Sequence, residues 1–166
     1  MAKKIYEACR RLLTTCANCQ PNENILIVTD TDSLEIGMAL WDAAEEFPKK
    51  TMVMMEPRKM HGEEPTPLVA AAMLKADVIF RATKFSLSHS HARRDACAAG
   101  ARDLNCCDYS IEMLEKGGLY TDFEADRKYV DQLLKSMADG DQVHITSEAG
   151  TDYYASIKGH KLFPQY

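Results

Sequence analysis

Between Lys84 and Arg94 the chain reads KFSLSHSHARR, which puts three serines, two histidines and three cations into eleven residues. Imidazoles move protons, hydroxyls donate and accept hydrogen bonds, and guanidiniums clamp carboxylates or phosphates. The apolar run DVIFRAT (77–83) precedes the stretch and reads as a strand, while DACAAG (95–100) follows it as a helix. Ser88 or Ser90 is a natural N-cap for that helix. His89 and His91 then fall at its positive end, where an anion is favoured. On this reading His89 is the candidate for substrate contact or proton transfer, with Ser86, Ser88 and Arg93 as binding candidates. Arg93 and Arg94 fit a solvated helix face equally well.

A second polar turn, TDTDS (29–33), closes the run ILIVTD. Asp30 at its tip could face a metal or a substrate amine and is a further binding candidate. Asp32 and Glu35 have the spacing of a capping box, a purely structural use. No glycine-rich loop follows, so neither a dinucleotide fingerprint nor a P-loop is present. The other histidines carry less. His61 lies in the loop HGEEP, His144 inside a strand run and His160 near the end of the chain. No HExxH or similar spacing encodes a local metal site. Cys16 and Cys19 form a CxxC that closes a helix instead of opening one, so the helix dipole opposes a reactive thiolate. Cys106 and Cys107 are adjacent and would point to opposite faces of an extended chain. Buried or incidental thiols are the better account of both pairs.

These turns need elements to position them. Apolar runs at 25–30, 51–56, 77–83, 101–106, 142–148 and 152–159 alternate with stretches of helical spacing, among them Leu34, Met38 and Trp41, and Val130, Leu133, Leu134 and Met137. Strands apolar on both faces and separated by helices belong in a parallel sheet covered on both sides. The expected fold is therefore α/β: a three-layer, doubly wound, mostly parallel sheet with helices on both faces, in a single domain over 1–166. Ligands of such sheets gather outside the carboxyl ends of the strands, so Asp30 and His89 should emerge along one rim.

At 166 residues, 46% of them hydrophobic and 27% charged, the chain can bury one ordinary core. The net charge of −5 argues against a general nucleic-acid binder. No apolar run approaches the about 20 residues of a membrane helix. No secretory signal is legible, and six cysteines without one point to a reducing, cytoplasmic setting. The apolar and aromatic residues of 152–163 suit pairing with another copy, so a homo-oligomer is expected.

The motifs ILIVTDTD, HGEEPTPLVAAAMLKADVIF, TKFSLSHSHARRDACAAGAR, DYSIEMLEKGGLYTDF and TSEAGTDYYASIKG occur in this order across nearly the whole chain. Together they resemble the family of thermophilic-type metallo-aminopeptidases and ring-opening 2,5-dihydroxypyridine 5,6-dioxygenases, and most of all the N-terminal half of its leucyl-aminopeptidase-like members. The resemblance implies a two-domain protein whose C-terminal domain supplies carboxylate and histidine metal ligands. The match stops after SIKG, before the family's FGNLPxGE-type motif and its later ligands. It implies no cofactor in this chain, and a divalent metal (zinc, cobalt or iron) only with the missing domain. His89 matches the histidine that follows the family's TxSxSH segment. The expectation is an N-terminal, cleft-forming domain of a metal-dependent aminopeptidase-like hydrolase, inactive by itself, acting on a small molecule or peptide. The alternatives are the same domain of an aromatic-ring-opening dioxygenase, or a stand-alone anion-binding or assembly module.

Overall fold

The computed structural model describes residues 2–164, which fall into two compact units divided after Tyr120. The first is the α/β unit. Helix α1 (Lys3–Arg11) runs into a π-helical turn over Leu12–Cys16, followed by strand β1 (Ile25–Asp30), helix α2 (Leu34–Ala43) and strand β2 (Lys50–Met55). Helix α3 (Pro67–Met73), β3 (Val78–Ala82), α4 (His91–Ala98), β4 (Arg102–Asn105) and α5 (Ile111–Lys116) complete it. The four strands are parallel and lie in the order β2-β1-β3-β4.

β1 and β3 are buried along their whole length because both faces of the sheet are covered. Ile25, Ile27, Val78 and Phe80 pack with α1, α2 and α5 on one face. Leu26, Val28 and Ile79 pack with α3 and α4 on the other. The sheet is thus the middle of three layers, as the alternation of apolar runs predicts. The contact of α2 with β1 is close enough to exclude a side chain: a Cβ on Gly37 would lie 2.8 Å from Thr29 Oγ1.

The second unit holds helix α6 (Phe123–Met137) and the antiparallel pair β5 (Gln142–Thr146) and β6 (Asp152–Ser156). The sequence points to these last two runs as further strands lined up in one mostly parallel sheet, whereas the structure pairs them antiparallel with each other in a sheet of their own. Only 147–151 separates them, and a parallel pairing needs a crossover of about a dozen residues or more. A hairpin is what so short a link permits. Asp122 caps α6 by accepting the N–H groups of Glu124 and Ala125. Among the described residues no helix is long and apolar enough to cross a membrane.

Candidate functional site

The strand order reverses direction between β1 and β3, the position where an open α/β sheet forms its crevice. The two strands run side by side with Thr29 opposite Ala82, so the turns that follow them share one edge. Asp30 joins those turns. It is fully buried, its Oδ1 accepts the Ser33 N–H at 2.9 Å, and its Oδ2 accepts the Lys84 N–H at 2.7 Å. The side chain therefore acts within the fold, tying the start of α2 to the turn after β3. The capping box expected of Asp32 and Glu35 does not form: Ser33 occupies the N-cap without a side-chain bond, and Asp30 does the satisfying.

Past Lys84 the chain coils through its serines. Ser86 Oγ accepts the Ser88 N–H at 3.1 Å and donates to Ser88 Oγ at 2.8 Å. Ser88 Oγ also accepts from Arg81 Nη2 at 3.2 Å. Ser90 is the N-cap of α4, its hydroxyl accepting the Arg93 N–H, because its extended backbone turns the side chain back over the first helical turn. Behind the serines lies a charge network. Arg81, only 1% exposed, binds Asp103 through Nε at 2.6 Å and Nη2 at 2.8 Å. Arg93 Nε reaches the same carboxylate at 3.0 Å, and that hydrogen bond pushes the Arg93 pKa up. One carboxylate between two guanidiniums leaves a net positive charge beneath the turn. Arg81 Nη1 is buried with no hydrogen-bond partner among the described residues.

His89 projects from this scaffold. It is exposed, and its ring makes no hydrogen bond to another described residue. His91 is exposed too, with Nδ1 3.3 Å from Arg94 Nη2. The amides at the start of α4 already have an anion. Glu64 Oε1 accepts the His91 N–H at 2.5 Å and Oε2 accepts the Ala92 N–H at 3.1 Å. His61 Nδ1 accepts the Ser86 N–H at 3.0 Å. The sequence reading gave His61 little weight and Glu64 none. A loop residue that caps a helix 27 positions further on leaves no periodic or spacing signal.

Lys84 Nζ bonds Asp108 Oδ1 at 2.7 Å, and this bond raises the lysine pKa and lowers that of the carboxyl. All six cysteines are free thiols. Burial drives Cys9 and Cys106 up to about 12 and Cys19 up to about 11. Cys16 is likewise raised, so the CxxC pair is poorly suited to thiolate chemistry. Among the described residues no three His, Cys, Asp or Glu side chains converge as a set that could hold a metal ion. His144 lies in the second unit, exposed, bonded through Nε2 to Asp152 Oδ1 at 2.7 Å and stacked on Tyr154.

A family model described as 2,5-dihydroxypyridine 5,6-dioxygenase matches residues 4–166. No curated protein and no solved structure matches the chain.

Proposed function

The chain belongs to the 2,5-dihydroxypyridine 5,6-dioxygenase family, and from that premise we propose that its α/β unit forms one wall of a ring-opening dioxygenase site that receives a hydroxylated nitrogen heteroaromatic. The family match supports this alternative over the aminopeptidase-like hydrolase with which the sequence reading led, and no match supports the hydrolase. The observation that carries the proposal is an exposed imidazole, His89, at the switch-point edge of a parallel sheet, inside the matched region.

On this reading His89 takes the proton of a ring hydroxyl onto an imidazole nitrogen and can return it to a ring-opened product. The positive charge of the Arg81–Asp103–Arg93 network favours the oxyanion so formed. Ser88, bonded to Arg81 Nη2 and next to His89 along the chain, offers a hydroxyl for orienting the ring. Ring opening by dioxygen implies a metal, iron above all. The described residues do not fit one: Asp30 and Glu64 are engaged by backbone amides and Asp103 by arginines.

The test is equilibrium binding of 2,5-dihydroxypyridine followed by NMR. The expected result is saturable binding with shift changes at Ser88 and His89, weakened about tenfold in His89→Ala by loss of one strong hydrogen bond. Absence of saturable binding at millimolar ligand, or equal affinity in the variant, overturns the proposal.

A further inference from the structure

The turn that presents His89 is gripped from outside the sheet by the loop between β2 and α3. The Ser86 N–H donates to His61 Nδ1 at 3.0 Å, and the Gly62 N–H donates to the Ser86 carbonyl at 2.7 Å. The His61 ring also meets Phe85 edge-on, with centroids 5.2 Å apart. Three residues on, Glu64 holds the first two amides of α4. His89 lies between these two anchorages. A Cβ built on Gly62, whose φ is +86°, would sit 3.5 Å from the His89 Cβ. The grip at Ser86 has a chemical condition. A ring nitrogen that accepts a hydrogen bond carries no proton, so His61 must keep its proton on Nε2 for the bond to exist.

We propose that His61 is a positioning residue for His89: by accepting the Ser86 N–H it fixes the orientation in which the turn presents the His89 imidazole to the aromatic ligand. This rests on the ligand reading above. Asp30 anchors the same turn from the inside through Lys84, so the segment from 84 to 92 is held at both ends and on both sides. His61 supplies the hold closest in sequence to Ser88 that comes from a side chain outside the turn and its sheet.

Two variants separate the acceptor from the ring. His61→Asn keeps an acceptor oxygen near the place of Nδ1, and His61→Phe keeps the ring contact with Phe85 but accepts nothing. His61 is exposed, so neither change reaches the core. His61→Ala repeats the loss without any ring. Readouts are hydrogen exchange of the Ser86 amide, the ring resonances of His89, and the dissociation constant for 2,5-dihydroxypyridine. In His61→Phe and His61→Ala the Ser86 amide should exchange up to about tenfold faster, the free-energy equivalent of one hydrogen bond. The His89 resonances should move and affinity should fall several-fold, while amides of β1 and β3 keep their protection. His61→Asn should restore all three readouts. An unchanged Ser86 amide in His61→Phe overturns the proposal. So does a freed Ser86 amide with unmoved His89 resonances, or failure of His61→Asn to restore them. If the wild type does not bind 2,5-dihydroxypyridine, the ligand reading falls, while the Ser86 and His89 readouts still decide the positioning role.

Discussion

Asp30 illustrates what a single side chain contributes here. It sits at a strand tip, where the sequence suggests a ligand-facing acid, yet both of its oxygens serve backbone donors of the fold. Asp30→Ala should strand two N–H groups, at a cost of about 2–6 kcal/mol in urea unfolding, since each buried unpaired donor costs about 1–3 kcal/mol. Asp30→Asn keeps one acceptor and turns its amide NH2, a donor, toward the other N–H, so it should recover only part of that loss. Residue type and strand-tip position were legible in the sequence. The partner was not, because the Lys84 amide lies 54 positions away. Ser90 was legible as a cap since its acceptor geometry spans three residues. Glu64 and His61 were not, for the same reason as Asp30.

At the scale of elements the packing is set by close contacts and one buried ion pair. Gly37 lets α2 lie on Thr29, so Gly37→Ala should force the helix off the sheet and lower stability by about 1–3 kcal/mol, as overpacking does. Arg81 and Asp103 join β3 to β4 beneath α4, with side chains 1% and 2% exposed. Asp103→Ala leaves Arg81 charged and unpaired and should cost about 3–5 kcal/mol. A paired replacement, Arg81→Met with Asp103→Leu, should cost far less, and thermal unfolding of both variants checks the difference. The parallel strands were readable because burial on two faces leaves continuous apolar runs, as in ILIVTD. β5 and β6 carry apolar runs like those of the sheet, and only the shortness of the link between them points to a hairpin. α5 went unread, its six residues being too few to show a period.

Across the whole molecule the two units differ in how they are held. The unit ending at Tyr120 has a core on each face of its sheet, whereas α6 has no buried residue. Native-state hydrogen exchange should therefore find β1 and β3 protected to the limit of global unfolding, and α6 and the β5–β6 hairpin opening at much lower free energy. Equal protection of both would contradict this. The pH response follows from the groups with shifted pKa values. Glu23 is held below the usual carboxylate range by the Arg102 guanidinium, and Asp77 by the Asn24 backbone amide. Depressed carboxyls stabilise the fold above their unfolded pKa near about 4, and that contribution is lost as pH falls through their folded values. At the alkaline end the sign reverses in origin. Unfolded thiols ionise near about pH 8.5, while Cys9, Cys19 and Cys106 stay protonated in the fold up to about 12, 11 and 12. Stability should hence decline as pH rises above the unfolded thiol value, and a Cys106→Ala variant should show a shallower decline in denaturant titrations at pH 9 and 10.

The tie from Asp30 to the amide at Lys84 has an implication for descent. A proline at 84 would delete the donor, and an apolar residue at 30 would delete the acceptor. Neither site is at liberty to drift while its counterpart stays put. Across relatives of this chain an acid at the first site and a non-proline at the second should be inherited as a couple, even though two helices, two strands and the loops that join them separate the pair in the gene.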